Sequence, residues 1–330
     1  MRVKFYGTRG STAICRKDAV EYGGNTTCLR LLSEFLPEGW ALLIDTGTGF
    51  VEASKDLLKE GIMKVAVLFT HWHHDHTAGL LLAPHTHIPS AEFKIWGPEE
   101  HGQNPEDVIS GLMREPVFPV NFQKLRHRFK LHSLKHIGTQ VLVIHPEAGF
   151  HLLPVHVYEK AAKEGLKLAL GKGRYGIFEC LVVKMLKTAH PEYTVSYRFE
   201  ESPPDGEVFV FLTDHENTDG IPADLVRHVH KADLLVQDCQ YTREVYDKRT
   251  AGFGHGTPDY CVKLALRAEV KWLGLTHHDP GASDKVVDEI VEEAFAELTK
   301  GRAVDDYDPL PFDIFACADY EEVDVVRRED

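Results

Sequence analysis

The chain has 330 residues, which suits one large domain or two ordinary ones. Hydrophobic residues make up 43% and charged residues 27%, so we expect a sizeable core rather than global disorder. No apolar run approaches the ~18–20 residues of a membrane span. The formal net charge of −14 argues against a general binder of polyanions.

Charge is distributed unevenly along the chain. Residues 121–190 contain twelve Lys and Arg against four Asp and Glu, a net of +8. Such a segment could guide an anionic substrate, although a solvated basic helix and hairpin would explain it equally well. The six cysteines form no CxxC pair, and the N-terminus has no apolar segment of a signal peptide. We therefore expect reduced thiols and a cytoplasmic protein.

In the first part of the chain, apolar β-branched runs alternate with helical patterns. Strands are predicted at 1–7, 25–32, 40–45, 64–70 and 91–97. Helices are predicted at 50–61, where Gly61 ends the pattern, and at 104–113, where Asn104 is a candidate N-cap and Pro105 the first helical residue.

The second part continues the alternation of strands and helices. Strands are predicted at 139–145, 150–158, 175–188, 193–200, 207–214, 233–239 and 270–278. Helices are predicted at 159–170, 221–232, 257–268 and 283–300, and the acidic tail is expected to end in loose residues. The pattern indicates an α/β protein with helices covering the sheets.

A histidine-rich stretch, LFTHWHHDHTAGLLLAPHTHIP, covers the end of the strand predicted at 64–70. Its core contains His71, His73, Asp75 and His76. Ligands two residues apart on a tight loop can converge on one ion, and Asp75 and His76 can turn toward a second ion. Imidazole and carboxylate suit zinc, iron or manganese. A surface histidine cluster is the alternative interpretation.

Three residues at the ends of later predicted strands could complete two coordination spheres. They are His190 in KTAHPEY, Asp214 in FLTDHE and His277 in GLTHHDP. A carboxylate such as Asp214 is a natural bridge, since its two oxygens can bind one ion each. Each residue alone is a weak signal, but the ordered set is a strong one.

This pattern resembles the metallo-β-lactamase superfamily. The segments GTRGS, YGGNTTC, IDTGTG, THWHHDH, YRFE, TDHE, GHGT and HHDP occur in the order seen in the branch that resembles ribonuclease Z and class II cyclic-nucleotide phosphodiesterases. The resemblance implies an α/β fold, a four-layer αβ/βα sandwich of two mixed sheets with helices outside. We expect a single domain over 1–330, with a basic insertion somewhere within 100–187.

The same resemblance implies two divalent metal ions at one edge between the sheets, with zinc as the first choice and manganese or iron as alternatives. The first ion would be held by His71, His73 and His190, the second by Asp75, His76 and His277, and Asp214 would bridge them.

Two catalytic residues are implied by the resemblance, Asp75 and His255. The related group carries an HST-like motif where this chain has GHGT, so His255 matches and Gly256 replaces serine. A metal-bound hydroxide would be the nucleophile, and Asp75 could accept a proton from the attacking water. His255 could bind a phosphoryl oxygen or protonate the leaving group.

The predicted function is hydrolysis of a small phosphodiester or nucleotide. Two alternatives stay open: hydrolysis of carboxylic esters or thioesters by the same centre, and a non-catalytic module that binds metal or a partner. No glycine- and proline-rich arm like the one that ribonuclease Z uses to grip transfer RNA is visible. We therefore expect a small anionic substrate and neither long nucleic acid nor membrane as a partner, with homo-oligomerisation left open.

Neighbouring residues receive supporting roles. Asp45 either orients a ligand or holds its turn, and His74 points away from the ions or supports the ligands. We place His85 and His87 in a loop at the cleft rim, and His215 and His278 are expected to hydrogen-bond the groups that bind metal.

Overall fold

Two β-sheets face each other, and helices cover their outer faces. The computed structural model describes residues 1–304 and 313–327, so the expectation of a loose chain end at 328–330 lies outside the described residues. The strands, in chain order, are β1 (Arg2–Gly7), β2 (Cys28–Leu32), β3 (Trp40–Ile44), β4 (Lys64–Leu68), β5 (Glu92–Pro98), β6 (Phe129–Leu134), β7 (Gln140–His145), β8 (Gly149–Pro154), β9 (Leu168–Leu170), β10 (Gly173–Tyr175), β11 (Leu181–Ala189), β12 (Tyr193–Glu201), β13 (Val208–Leu212), β14 (Leu234–Asp238), β15 (Trp272–Thr276), β16 (Asp313–Ala316) and β17 (Glu322–Asp324).

The helices connect strands within each sheet. They are α1 (Phe50–Lys59), α2 (His74–Leu82), α3 (Pro84–His87), α4 (Pro105–Leu112), α5 (Val155–Glu164), α6 (Ala223–Val229), α7 (Arg243–Val245), α8 (Pro258–Arg267) and α9 (Asp284–Val304). Short 3₁₀ turns occupy Phe122–Lys124, Arg126–Arg128 and Ile177–Glu179, and one π turn spans Tyr246–Thr250. Within the described residues, no helix is both long and apolar enough to cross a membrane.

Both large sheets are mixed. The first has the order β17-β1-β2-β3-β4-β5-β6 and the second the order β16-β15-β14-β13-β12-β11-β7-β8. Strands β3 to β6 run parallel to one another, as do β13 to β16, and the remaining neighbours are antiparallel. This arrangement is the predicted sandwich of two mixed sheets.

The apolar runs in the strands supply two cores at once, because successive side chains point to opposite faces. Leu42 and Ile44 of β3 lie in the core between the sheets. Ala41 and Leu43 of the same strand pack against the helices outside. A strand buried on both faces reads as a continuous hydrophobic run, and each fully buried side chain of this size contributes roughly 1.5–3 kcal/mol.

The parallel strands determine where polar side chains gather. In the first sheet β3 and β4 end side by side, with Ile44 paired to Leu68. In the second sheet β13, β14 and β15 end side by side, with Asp238 paired to Thr276. Loops that follow parallel strands emerge at the same edge of a sheet, so the residues just beyond these ends are brought close together.

The basic segment contributes an edge strand to each large sheet: β6 ends the first sheet, and β8, next to β7, ends the second. Helix α5 and the two-stranded β9–β10 sheet follow β8, and Tyr158, Leu168, Leu170 and Cys180 form a small separate core there. That this segment is an insertion into a single domain stays a prediction.

Three sequence predictions in this segment were wrong. Residues 177–179 were expected in a strand but form a 3₁₀ turn, and β11 begins only at Leu181. Residues 155–158 were expected in a strand but begin α5, because Pro154 precedes the helix and ends β8. Residues 168–170 were expected in a helix but form β9, because Gly165 takes φ 64° and ends α5. The predicted start of α4 is confirmed, since Asn104 caps it by accepting from the backbone N–H groups of Glu106 and Asp107.

Candidate metal centre

The histidine stretch changes from strand to helix within a few residues. Strand β4 ends at Leu68 and α2 begins at His74, so Asp75 and His76 lie in the first turn of α2. His71 precedes the helix and is fully buried, whereas the His73 side chain is 42% exposed. One short stretch can therefore present side chains toward two different points.

Asp214 lies between two sets of histidines. Its Oδ2 is 3.4 Å from His71 Nε2 and 4.0 Å from His190 Nε2. Its Oδ1 is 3.2 Å from both His76 Nε2 and His277 Nε2. The two oxygens of one buried carboxylate thus face different partners.

All seven candidate metal ligands come together in two groups that share Asp214. In each group, one ligand atom from every member lies within 4.8 Å of the others. The first group is His71, His73, His190 and Asp214, and the second is Asp75, His76, His277 and Asp214.

The donor atoms fit metal ions. Within the described chain, the buried Nε2 atoms of His71, His76 and His190 have no hydrogen-bond partner. Leaving buried polar atoms unpaired costs about 1–3 kcal/mol each, so three of them aimed at one carboxylate call for a cation. Imidazole nitrogens around carboxylate oxygens are a donor set of zinc and other first-row metals.

Hydrogen bonds at the opposite ring nitrogens orient these imidazoles. His76 Nδ1 donates to Asp45 Oδ2 over 2.8 Å, and His190 Nδ1 donates to the Gly254 carbonyl over 2.9 Å. The Thr70 hydroxyl donates to Asp45, so its oxygen can accept from His71 Nδ1 at 3.1 Å. In the neutral ring each bond leaves Nε2 as the unprotonated nitrogen, which is the form that binds metal. Asp45 therefore orients a candidate ligand, and its carboxylate bonds Thr70 and His76 rather than a group of its own turn.

Burial and neighbouring charges determine the ionisation of these groups. Burial, and then the nearby His76, holds the pKa of His71 well below its usual value, so this imidazole is neutral. Burial alone would raise the pKa of Asp214, but His277, His76 and His71 keep it well below the ordinary range. Burial opposes the charging of His76, but the carboxylates of Asp214, Asp75 and Asp45 raise its pKa well above the usual value. A metal ion that binds His76 would therefore displace a proton from its ring.

Three residues of the centre have strained backbones. Asp45, Asp214 and His277 take φ values of 57°, 48° and 64°, a region that costs non-glycine residues about 1–3 kcal/mol. Asp45, Asp214 and His277 each follow closely on a strand end, and the left-handed turn redirects the chain there. The strain is retained because packing and hydrogen bonds determine the position of each side chain.

The N-terminal loop, which contains the GTRGS segment, packs against the site. The Ser11 backbone N–H donates to Asp75 Oδ2 over 2.7 Å, and His277 Nε2 lies 3.2 Å from the same oxygen. A Cβ on Gly10 would lie 2.4 Å from the His277 ring, so only glycine fits there. The loop therefore holds the Asp75 oxygen that also faces His277.

His255 lies beside the candidate ligands and is held by a carboxylate. Its Nδ1 donates to Asp238 Oδ2 over 2.9 Å, and its ring stacks on that of His277 with centroids 5.0 Å apart. Burial would lower the pKa of His255, but Asp238 raises it to about 9. The imidazole is thus a proton donor whose Nε2 remains available. Asp238, His255 and His277 also place one ligand atom each within 4.8 Å, as a third group that overlaps the second.

A cavity of about 510 Å³ gives access to these groups. Its lining contains members of both metal groups, His74 and His255, together with the apolar side chains Trp72, Pro191 and Phe253. This volume is in the range of sites for small ligands.

The predictions for four histidines around the centre were wrong. His85 is not at the cleft rim but fully buried in α3, where Ser54 Oγ and the Ile62 carbonyl bond its ring at 2.8 Å. His215 bonds the Tyr260 hydroxyl and His278 donates to the Cys317 carbonyl, so neither ring supports a candidate ligand.

His87 also lies in α3, not in a loop, and its ring bonds the Leu81 carbonyl over 2.8 Å. All six cysteines are free, as expected, and five of them are buried.

Sequence reasoning missed several residues of the site. Asp238 holds His255, Glu192 bonds His73 Nε2 over 3.1 Å, and Ser11 holds Asp75. Asp238 could have been found, because a carboxylate at the end of a buried strand is the same signal that marked Asp214. Ser11 acts through its backbone, so its side-chain type carries no signal.

The sequence matches the family model described as Beta-lactamase superfamily domain over residues 41–278, which is more than half of the chain. The chain belongs to the β-lactamase superfamily. The prediction of this family and of its fold is confirmed.

Individual members of the superfamily are distant from this chain. A ribonuclease Z from Clostridium tetani is 27% identical over 281 residues, which cover 79% of this chain and 87% of that protein. The metallo-β-lactamase fold protein YhfI from Bacillus subtilis superposes with a TM-score of 0.59 at 15% identity, over 98% of this chain and 99% of that one. The short form of human tRNase Z gives a TM-score of 0.54 at 17% identity, over 99% and 100% of the two chains.

Proposed function

We propose that this superfamily member hydrolyses a small phosphodiester with two divalent metal ions, of which zinc is the first candidate. The observation that carries the proposal is Asp214, whose two oxygens face two separate histidine groups. The similar proteins named ribonuclease Z support phosphodiester chemistry, since RNA is itself a phosphodiester.

Each of the two groups of side chains that share Asp214 would hold one ion. His71, His73 and His190 would hold one ion, and Asp75, His76 and His277 the other. Asp214 would bridge them, because its position makes it the one carboxylate common to both groups. For His73 the ligand atom would be Nδ1, since Glu192 bonds Nε2.

Two ions in such a site supply an activated water nucleophile and Lewis-acid polarisation of the phosphoryl group. The chain itself supplies the proton transfers. Asp75, held by Ser11 and facing the cavity, would accept a proton from the attacking water as well as bind metal. His255 would donate a proton to the leaving oxygen, and Asp238 would keep its ring aimed at the cavity and stabilise its charge.

A small substrate suits the cavity. Its volume of about 510 Å³ holds a nucleotide-sized molecule. That long RNA is not a substrate stays a prediction, because several relatives are ribonucleases by name. A long transcript therefore belongs in the substrate test.

The test is a substrate panel on zinc-loaded and manganese-loaded protein. The panel contains bis-p-nitrophenyl phosphate, cyclic nucleotides, a precursor transfer RNA, thioesters and a β-lactam. Turnover of small phosphodiesters is expected. Turnover of thioesters alone would replace the phosphodiesterase proposal with the alternative ester reaction, and no turnover of any compound would favour a non-catalytic module.

Metal analysis tests the two-ion arrangement separately. Metal-replete protein should contain close to two ions per chain, and Asp214→Ala should lose at least one. Asp259→Ala removes a carboxylate that pairs with Lys263 on α8 and serves as the control that keeps both ions. A single tightly held ion in the unmodified protein would contradict the arrangement.

A further inference from the structure

One large apolar side chain stands exposed at the candidate metal centre. Phe253 has 58% of its surface open to solvent, and it lines the same cavity as His190, Asp214 and His255. Single exposed apolar residues need no explanation elsewhere on a surface, but one in a cavity built from histidine and aspartate is unusual. A ligand that covers Phe253 would remove this apolar area from water.

The loop that carries Phe253 is firmly held. Glu216 accepts from the backbone N–H of Gly252 over 2.7 Å and from that of Gly254 over 2.6 Å. The Phe253 N–H donates to the Thr250 carbonyl over 3.0 Å. Hydrogen bonds on three consecutive backbone N–H groups hold the backbone that carries the ring.

The loop also touches a candidate metal ligand directly. The Gly254 carbonyl accepts from His190 Nδ1, and Gly254 takes φ 94°. A Cβ at this position would lie 2.2 Å from His190 Nδ1 and 2.6 Å from the Pro191 ring. This close approach sets Phe253 one residue away from the first metal group.

Other apolar surfaces of the cavity are held as well. Trp72 lines it, donates from Nε1 to the Pro98 carbonyl over 2.8 Å and lies 4.6 Å from the Phe69 ring. Pro191 follows His190 directly and lines the same space. The polar groups that would take the phosphate are therefore flanked by apolar surfaces, of which Phe253 is a large exposed aromatic ring.

We propose that Phe253 is a stacking platform for a planar ring of the substrate, so that the substrate class is a phosphodiester with a nucleoside on one side of the scissile phosphate. The inference rests on the proposed function. It adds which organic group on one side of the phosphodiester the site prefers. A nucleobase offers a flat face to an aromatic ring held beside the phosphate site, and an aliphatic arm such as glycerol does not. Stacking of a base on an aromatic side chain tolerates any base, so the preference is for nucleosides in general.

Direct binding to zinc-loaded protein tests this without turnover. The probes are adenosine 5′-monophosphate and glycerol 3-phosphate, which share a phosphate monoester and differ in the ring. Phe253→Ala should lower the affinity for adenosine 5′-monophosphate roughly five- to a hundredfold and leave the affinity for glycerol 3-phosphate unchanged. Phe253→Trp should retain nucleotide binding, because its ring stacks in the same way.

Phe178→Ala is the matched control. Phe178 is 60% exposed and lies in the 3₁₀ turn Ile177–Glu179, outside the cavity, so its removal should change neither affinity. Metal content of every variant should equal that of the unmodified protein, since no variant removes a candidate ligand.

The outcomes separate this inference from the proposed function. If Phe253→Ala changes both affinities equally or neither, Phe253 does not select a nucleoside and the inference is wrong, whatever the substrate panel shows. If Phe253→Ala loses affinity for the nucleotide alone while the protein turns over no phosphodiester, the stacking platform is supported and the proposed reaction is wrong.

Discussion

Asp45 belongs to neither candidate metal group, yet its side chain bonds a residue of one group and reaches the other through Thr70. Its carboxylate accepts from His76 Nδ1 over 2.8 Å and from the Thr70 backbone N–H over 2.8 Å. The same carboxylate accepts the Thr70 hydroxyl, whose oxygen in turn faces His71. Asp45 therefore sets the tautomer of one histidine in each metal group.

Replacing this carboxylate by an amide should weaken metal binding. Asp45→Asn keeps the shape but removes the charge, and we expect a loss of roughly 10- to 100-fold in zinc affinity. Competition with a fluorescent zinc chelator measures it. Asp56→Asn is the control, because Asp56 pairs with Lys4 and Lys59 away from the site. An unchanged affinity would show that the Asp45 charge does not support the candidate ligands.

Asp238 is expected to act on proton transfer rather than on metal. It accepts from His255 Nδ1 over 2.9 Å, whereas its other oxygen is 4.0 Å from His277 Nδ1, which is too long for a hydrogen bond. Asp238→Asn should lower kcat on bis-p-nitrophenyl phosphate at least roughly tenfold, with KM and metal content nearly unchanged.

Metal analysis of the same variant distinguishes two roles. Asp259→Asn, which alters a half-buried carboxylate of α8 that pairs with Lys263 and belongs to none of the candidate metal groups, should retain both turnover and metal. Loss of an ion in Asp238→Asn would instead make Asp238, His255 and His277 a metal group in their own right.

At the scale of elements, the loop after the π turn depends on glycine for two different reasons. Gly252 and Gly254 take φ values of 87° and 94°. Nothing lies within 4 Å of a Cβ on Gly252, whereas a Cβ on Gly254 would overlap the ring of His190. The two positions therefore separate backbone strain from a clash with a candidate ligand.

This difference predicts unequal effects of alanine at the two positions. Gly252→Ala should cost about 1 kcal/mol of unfolding free energy, from the positive φ alone. Gly254→Ala should cost more and should also lower the metal content, because His190 must move. Thermal unfolding and metal analysis of both variants check this, and equal metal loss in the two would contradict it.

At the scale of the whole molecule, the candidate centre links the two sheets. His71 and His76 follow a strand of the first sheet, whereas Asp214 and His277 follow strands of the second. Ions held between them would join the sheets at one edge. Removal of metal should therefore affect the stability of the whole fold.

Chelation measures that link. Metal at 1,000 times its Kd would stabilise the native state by about 4 kcal/mol per site, so EDTA should lower Tm by several degrees. Asp214→Ala protein should begin with a lower Tm and respond less to EDTA. An identical response of the two proteins would show that the bridging carboxylate does not hold metal.

Part of the architecture could be predicted because it depends on local patterns. Runs such as KVAVL form strands buried on two faces, and Asn104 followed by Pro105 starts α4. The prediction failed where a single residue shifts a boundary between two acceptable structures. Pro154 and Gly165 set the two ends of α5. The apolar residues next to them fit a helix and a strand equally well, so the sequence pattern alone placed both boundaries wrongly.

The sequence by itself determined the family, the two mixed sheets and the seven candidate ligands. The family and its two sheets were implied by the resemblance of the motifs, and the candidate ligands were visible because they follow predicted strands, whose ends parallel pairing brings together. Only the tertiary structure decided which groups support those ligands. His85 is buried against α1, Asp238 holds His255, and Phe253 stands over the cavity. These contacts join residues far apart in the chain, and their geometry depends on how the layers pack.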